Sequence, residues 1–178
     1  YLSPNQDTHQ QGGKIKPIWK PEIPMHGKCR VNVSNYGLDV YGDLFTSRQL
    51  VALTTFSDLI QEARNKVISD ARERGMLDDG IGIDAGGIGA TAYGDALALY
   101  LSFAIDRLAD YNSAIASWKP SGEQVMQTYK RQAIPMTWDF PESNILGEKS
   151  ICWSNAIKYT ADNLAFSSQL NCLTAGKS

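Results

Sequence analysis

The chain has 178 residues, of which 43% are hydrophobic and 20% charged, and its net charge is −2. This composition is typical of a globular domain, and it excludes disorder along the whole chain, collagen and low-complexity sequence. Because the 17 basic residues do not exceed the 19 acidic ones, the overall charge argues against a strongly basic nucleic-acid-binding domain. A local basic face remains compatible with these numbers.

The cysteines and the apolar residues indicate a cytoplasmic protein. Cys29, Cys152 and Cys172 are far apart and form no CxxC pair, so the sequence predicts neither a disulfide scaffold nor a metal site. No run approaches 18 apolar residues and no signal peptide opens the chain, so we expect no membrane partner. The chain starts at Tyr1, inside a polar run, and we interpret it as a piece of a longer protein.

The N-terminal part predicts little regular structure. Residues 1–27 are interpreted as a flexible polar tail followed by a proline-rich connector, because Pro17, Pro21 and Pro24 exclude a helix. A helical domain is expected to occupy residues 28–178. At its start, the apolar residues of 29–40 alternate around a turn, which predicts a short hairpin and hence a small N-terminal β element.

Helices are predicted for most of the remaining chain. The first covers 46–74 and opens on a capping box of Thr46 and Gln49. The second covers 93–118, and its first half is apolar nearly all round, which is typical of a helix in the middle of a bundle. Shorter helices are predicted at 123–133 and 150–170. The expected fold class is therefore mainly α (α+β), with about four helices around a buried central helix.

Two polar features allow a functional and an ordinary interpretation. The glycine-rich residues 80–89 resemble a nucleotide-binding loop before a helix, but the GxGxxG spacing fails and an interhelical loop is favoured. Asp95, Asp106 and Asp110 share one helical face, where carboxylates bind a metal, share a proton or simply form ion pairs. The ion-pair interpretation is favoured. No histidine is placed to act as a general base, so we predict no catalytic residue.

A mixed basic and aromatic segment points to nucleic acid. Lys130 and Arg131 precede Trp138 and Phe140, and Arg48 adds a positive charge at the start of the first helix. Protein surfaces that bind nucleic acid typically combine cations, which contact phosphates, with aromatic rings, on which bases stack. Charges at helix ends are also common without any ligand. Arg48, Lys130 and Arg131 are the predicted DNA-contacting residues.

Four runs, in the same order, resemble a family. They are residues 43–53 (preceded by Tyr36-Gly37), 86–93, 104–110 and 131–140. The group is that of large prokaryotic adenine-specific DNA methylases, which begin with a domain of unknown function and often carry a zinc ribbon. The resemblance spans roughly residues 24–170. It implies a parent S-adenosylmethionine-dependent methyltransferase that flips its target base out of the duplex.

The resemblance also implies what this chain lacks. Family members bind the cofactor through an Asp-Pro-Phe-x-Gly-x-Gly loop upstream, and they hold the adenine amine with an Asp-Pro-Pro-Tyr motif downstream. Neither motif is present, so no catalytic or S-adenosylmethionine-binding residue carries over, and the chain alone is expected to be inactive. Its expected partners are double-stranded DNA, through the parent protein, and the remaining methylase domains. The alternative function is a non-enzymatic helical protein-interaction module; a nucleotide site at Asp84 and the glycine loop is a third.

Overall fold

The computed structural model describes residues 15–148 and 151–175. Within these ranges there are three α-helices, α1 (Ser47–Glu73), α2 (Ala90–Tyr111) and α3 (Trp153–Ala175). There is also one small antiparallel sheet, in which β1 (Trp118–Lys119) pairs with β2 (Gln124–Val125). The mainly helical class is confirmed, with three helices rather than about four.

The first helix begins where its capping residues predict. The Gln49 backbone N–H donates to Thr46 Oγ1 at 3.3 Å, and the Gln49 side-chain Oε1 accepts from the Thr46 N–H at 2.8 Å. These reciprocal bonds satisfy donors that the first helical turn leaves free. The helix ends before Gly75, whose φ of 87° lies in the left-handed region that glycine adopts readily. The predicted helix over 46–74 is therefore confirmed.

The second helix is less buried than the sequence predicts. Its buried side consists of small residues and one leucine: Ala90, Ala92, Gly94, Ala98, Ala104 and Leu108. Leu99, Tyr100 and Phe103 are instead exposed. The prediction of a buried central helix is wrong because the small residues permit close packing on one side only. At Gly94 the approach is so close that a Cβ would lie 2.5 Å from Cγ1 of Ile68.

The predicted N-terminal hairpin over 29–40 is wrong. Short 3-10 turns occupy this region, at Gly27–Cys29, Ser34–Tyr36 and Tyr41–Leu44. The extended partner of Val40 is Pro24, in an isolated antiparallel bridge. Two backbone bonds flank this bridge, from the Met25 N–H to the Asp39 carbonyl and from the Tyr41 N–H to the Ile23 carbonyl. The pairing does not continue as a ladder because the N–H groups of Asp39 and Val40 donate to Oδ2 of Asp43, each at 3.1 Å. The β element of the described residues lies instead at β1 and β2.

The predicted helix over 123–133 is also wrong. Pro120–Gly122 forms a tight turn, after which β2 pairs back onto β1. Beyond β2 the chain is irregular, and the Thr128 N–H donates to the Asp110 carbonyl at 2.7 Å. This long-range bond replaces the i to i−4 bond that a helix would need.

Contacts within the chain define two compact units. Among the described residues, unit 1 comprises 15–55 and 109–143, and unit 2 comprises 56–108, 144–148 and 151–175. One core cluster of unit 1 is formed by five buried side chains, Met25, Val33, Leu44, Ile115 and Ile134. In unit 2, Phe56 stacks on Trp153 with ring centroids 4.5 Å apart. The boundary predicted at residues 27 and 28 stays a prediction, and residues 1–14 lie outside the described ranges.

A bilayer-spanning segment needs about 20 apolar residues in one helix. No helix among the described residues meets the length and apolarity that crossing a membrane requires.

Candidate nucleic-acid interface

Arg48 lies in the first turn of α1 and is engaged by a carboxylate. Its Nη2 lies 2.6 Å from Oε2 of Glu142, and its Nε lies 3.4 Å from Oε1. This two-pronged contact raises the pKa of Arg48 above its usual value. A DNA phosphate would have to displace Glu142 to reach this guanidinium.

Lys130 and Arg131 keep their charges available. Lys130 Nζ donates to the neutral hydroxyl of Ser117 at 3.0 Å, and Arg131 is exposed. Among the described residues, no carboxylate lies within ion-pair distance of either side chain. Two of the three predicted DNA-contacting residues therefore present uncompensated positive charge.

Three exposed aromatic rings touch one another in unit 1, and we call them the aromatic patch: Tyr36, Trp138 and Phe140. The centroids of Tyr36 and Trp138 are 5.6 Å apart with the planes at 82°, and those of Trp138 and Phe140 are 6.0 Å apart at 58°. The exposed fractions are 56%, 61% and 57% in chain order. Large side chains in contact but outside the core indicate a surface with a use other than packing.

The loops that carry the patch are held by backbone contacts. Nδ2 of Asn32 donates to the carbonyl of Ile134 at 3.3 Å, which ties the Tyr36 region to the segment over 131–140. The Trp118 N–H donates to Oδ2 of Asp139 at 2.9 Å. Since Lys130 bonds the neighbouring Ser117, adjacent residues hold both the ammonium and the stretch that contains Trp138 and Phe140. The basic and aromatic groups therefore belong to one region of unit 1.

The backbone of Phe140 is strained. Its φ is +50°, in the left-handed region that a bulky L-residue rarely adopts. Such a conformation costs about 1–3 kcal/mol and persists only where the surroundings impose it. Because the Phe140 ring is exposed, its own burial does not compensate for this strain.

One buried and one exposed hydrogen bond support the segment that leads to Lys130. Ser113 and Thr128 share a hydrogen bond of 2.7 Å, and Oδ1 of Asp110 accepts the Tyr129 N–H at 2.9 Å. Desolvation, together with the charges of Asp110 and Tyr41, raises the pKa of Tyr129 to about 12. Asp110 is therefore a structural residue of unit 1.

The other two aspartates of the proposed acidic face also have separate environments. Arg64 lies 2.5 Å from Oδ1 of Asp95 and, with the Ile83 N–H, lowers the pKa of that carboxyl. Burial raises the pKa of Asp106. No group of three metal-ligating side chains occurs within the described residues. The structure thus supports the ion-pair interpretation for Asp95 and gives the metal interpretation no support.

The glycine-rich loop is closed by its own carboxylates. Oδ1 of Asp78 accepts the N–H groups of Thr91 at 2.9 Å and Gly80 at 3.1 Å, and Arg72 pairs with its other oxygen. The start of α2, where a phosphate would bind, thus already holds an anion. Nothing in this arrangement supports the nucleotide-site alternative.

These bonds predict an acid-sensitive unit 2. The Thr91 N–H, with Arg72, holds the pKa of Asp78 far below its usual range. The stability that a lowered pKa provides is fully present above the pKa of aspartate in the unfolded state, about 3.9. It is lost as the pH falls through the lower pKa of the folded state. We expect Asp78→Asn to lower the melting temperature at pH 7 and to flatten its fall below about pH 4. Thermal melts across pH test this. The exposed Asp58→Asn control should match the parent curve, and an acid limb unchanged by Asp78→Asn would contradict the assignment.

A groove in unit 2 was not predicted from the sequence. It has a volume of about 310 Å³, and its lining includes Tyr100, Phe103, Arg107, Tyr159, Asn163 and Leu164. The Arg107 guanidinium lies 4.1 Å from the centroid of the Tyr159 ring. The sequence signal that could have indicated this groove is the nearly continuous apolar run over 96–105, which we interpreted as part of a buried helix.

Tyr36 was likewise not predicted as part of a site. The only signal was its place in the Tyr36-Gly37 pair of the family resemblance.

No protein-family model, no curated protein and no solved structure matches this chain. The function of this chain must therefore be inferred from its own residues and their geometry.

Proposed function

We propose that this chain is an accessory segment of an S-adenosylmethionine-dependent adenine-specific DNA methyltransferase, and that it contacts duplex DNA through Lys130 and Arg131. The observation that carries this proposal is that, among the described residues, these two neighbours form no ion pair with a carboxylate and belong to the same unit as the exposed rings of the aromatic patch. Phosphates attract such cations by releasing counterions from the duplex. Arg48 contacts a phosphate only when Glu142 releases its guanidinium.

The remaining runs of the family resemblance suit a supporting role. Leu44, Ala104 and Ile134 come from three different runs, and all are buried. Such positions hold elements together and leave no group free for chemistry. In the parent enzyme the flanking motifs would supply cofactor and base recognition, and this segment would position the duplex while the adenine is flipped out.

The test is duplex binding measured by fluorescence anisotropy at two salt concentrations about fourfold apart. Two phosphate contacts predict a slope of about −1.8 in log affinity against log salt, which is about a 12-fold loss over that range. Lys130→Glu with Arg131→Glu should remove most of this affinity and flatten the slope.

The matched control is Arg74→Glu with Lys158→Glu, which changes the net charge equally at exposed positions of unit 2. We expect it to bind DNA nearly as the parent chain does. Equal losses in both variants would mean that only overall charge matters, and no binding at low salt would refute the DNA contact.

A second candidate function is a helical protein-interaction module. The groove beside α2 and α3 favours it, because Phe103 and Tyr159 are about half exposed there. Within a methylase, the remaining domains would be the partner. Absence of duplex binding at low salt would favour this candidate. Phe103→Asp should then abolish association of the chain with those domains.

A further inference from the structure

We propose that the aromatic patch (Tyr36, Trp138 and Phe140) is a stacking surface for the bases of unpaired DNA beside the duplex contact. This inference rests on the proposed function and deepens it, since it names a second nucleic-acid form for the same region. Base flipping breaks the pair between the target base and its partner, so an unpaired base is present in the parent reaction.

The ring geometry leaves aromatic surface free. Neither pair in the patch is stacked, since the interplanar angles are 82° and 58°. In unit 2, by contrast, Phe56 and Trp153 lie at 24° and cover each other's faces. Each patch ring keeps more than half of its surface exposed. Bases of any sequence stack on such rings, because every base has a π-face.

The surrounding charges favour a strand of nucleic acid over an apolar peptide. Within the part of the chain that the structure describes, no carboxylate lies within ion-pair distance of Lys130, and the one carboxylate of residues 131–140, Asp139, accepts the Trp118 N–H. An apolar peptide would gain nothing from the cations, whereas a strand brings a phosphate with each base. Base-paired DNA does not offer its base faces, so the patch selects the unpaired form.

The experiment compares a fluorescent oligothymidine of about 12 nucleotides with a labelled duplex, using the whole chain at constant low salt. Trp138→Ala with Phe140→Ala should weaken oligothymidine binding tenfold or more while duplex binding stays within about twofold. The control is Tyr93→Ala with Phe166→Ala, which removes two exposed rings of unit 2. It should leave both affinities unchanged. Trp138→Leu with Phe140→Leu keeps apolar bulk and should also lose single-strand binding.

The failures of the two proposals are distinguishable. Salt-sensitive duplex binding without oligothymidine binding, or with oligothymidine binding that the patch variants do not weaken, overturns the stacking surface alone. Absence of binding to either DNA overturns both proposals. If the patch variant instead loses self-association in gel filtration, the patch is a protein-docking surface and the inference is wrong.

Discussion

Gly94→Val is expected to destabilise the protein by about 3 kcal/mol, because overpacking a close contact costs typically 1–3 kcal/mol and a second branch adds to it. A Cβ on Gly94 would lie 2.5 Å from Cγ1 of Ile68 and 3.3 Å from the Arg64 carbonyl oxygen. The backbone cannot retreat without disturbing α1. Urea unfolding at neutral pH measures the loss as a lower midpoint with an unchanged slope.

Two further variants separate the effect of steric crowding at Gly94 from the effect of helix propensity. Leu99→Val introduces the same side chain at an exposed position of α2 and should change the free energy of unfolding by no more than about 0.5 kcal/mol. Adding Ile68→Ala to Gly94→Val opens space at the contact and should recover part of the loss. Equal effects of the two valine variants would show that the contact is not tight.

Ile134→Ala is expected to cost about 3 kcal/mol, since buried isoleucine truncations lose 2–5 kcal/mol. The Ile134 side chain is 2% exposed and packs in the core of unit 1. It is also the anchor of the segment over 131–140, which lacks regular secondary structure. Losing this anchor should therefore loosen Arg131 and Trp138 along with the core.

Ile134→Val provides the graded control, with an expected loss of about 1 kcal/mol. DNA affinity measured well below the unfolding temperature should fall for the alanine variant and hold for the valine variant. Alanine at this position with unchanged stability would place Ile134 outside the core.

Local signals in the sequence were sufficient to predict that the long helices exist, although α2 ends at Tyr111 and not at residue 118 as predicted. Thr46 and Gln49 predict the start of α1 because a capping box acts within one turn. The hairpin over 29–40 failed because alternation does not reveal which strand is the partner. Here the partner of Val40 is Pro24, and the N–H groups of Asp39 and Val40 donate to the Asp43 side chain instead of a second strand.

The candidate site was predictable only in part, for the same reason. Lys130, Arg131, Trp138 and Phe140 are close in sequence, so their combination was visible. Tyr36 joins them through a contact between distant parts of the chain, which no local pattern encodes. The pairing of Arg48 with Glu142 is equally long-range, and it turns a predicted DNA contact into an occupied one.

In the proposed function, that pairing would couple DNA binding to the chain's own conformation. A phosphate and the Glu142 carboxylate compete for one guanidinium, so Arg48 can serve only one of them at a time. Thermodynamic linkage makes the competition reciprocal. The factor by which the Glu142 contact lowers the affinity of Arg48 for phosphate equals the factor by which bound phosphate weakens the Glu142 contact. Because the next residue, Ser143, is tethered through its N–H to Asn112, the released carboxylate stays nearby. In the proposed function, Glu142 would therefore compete with phosphate at high effective concentration and would rebind Arg48 when the DNA dissociates.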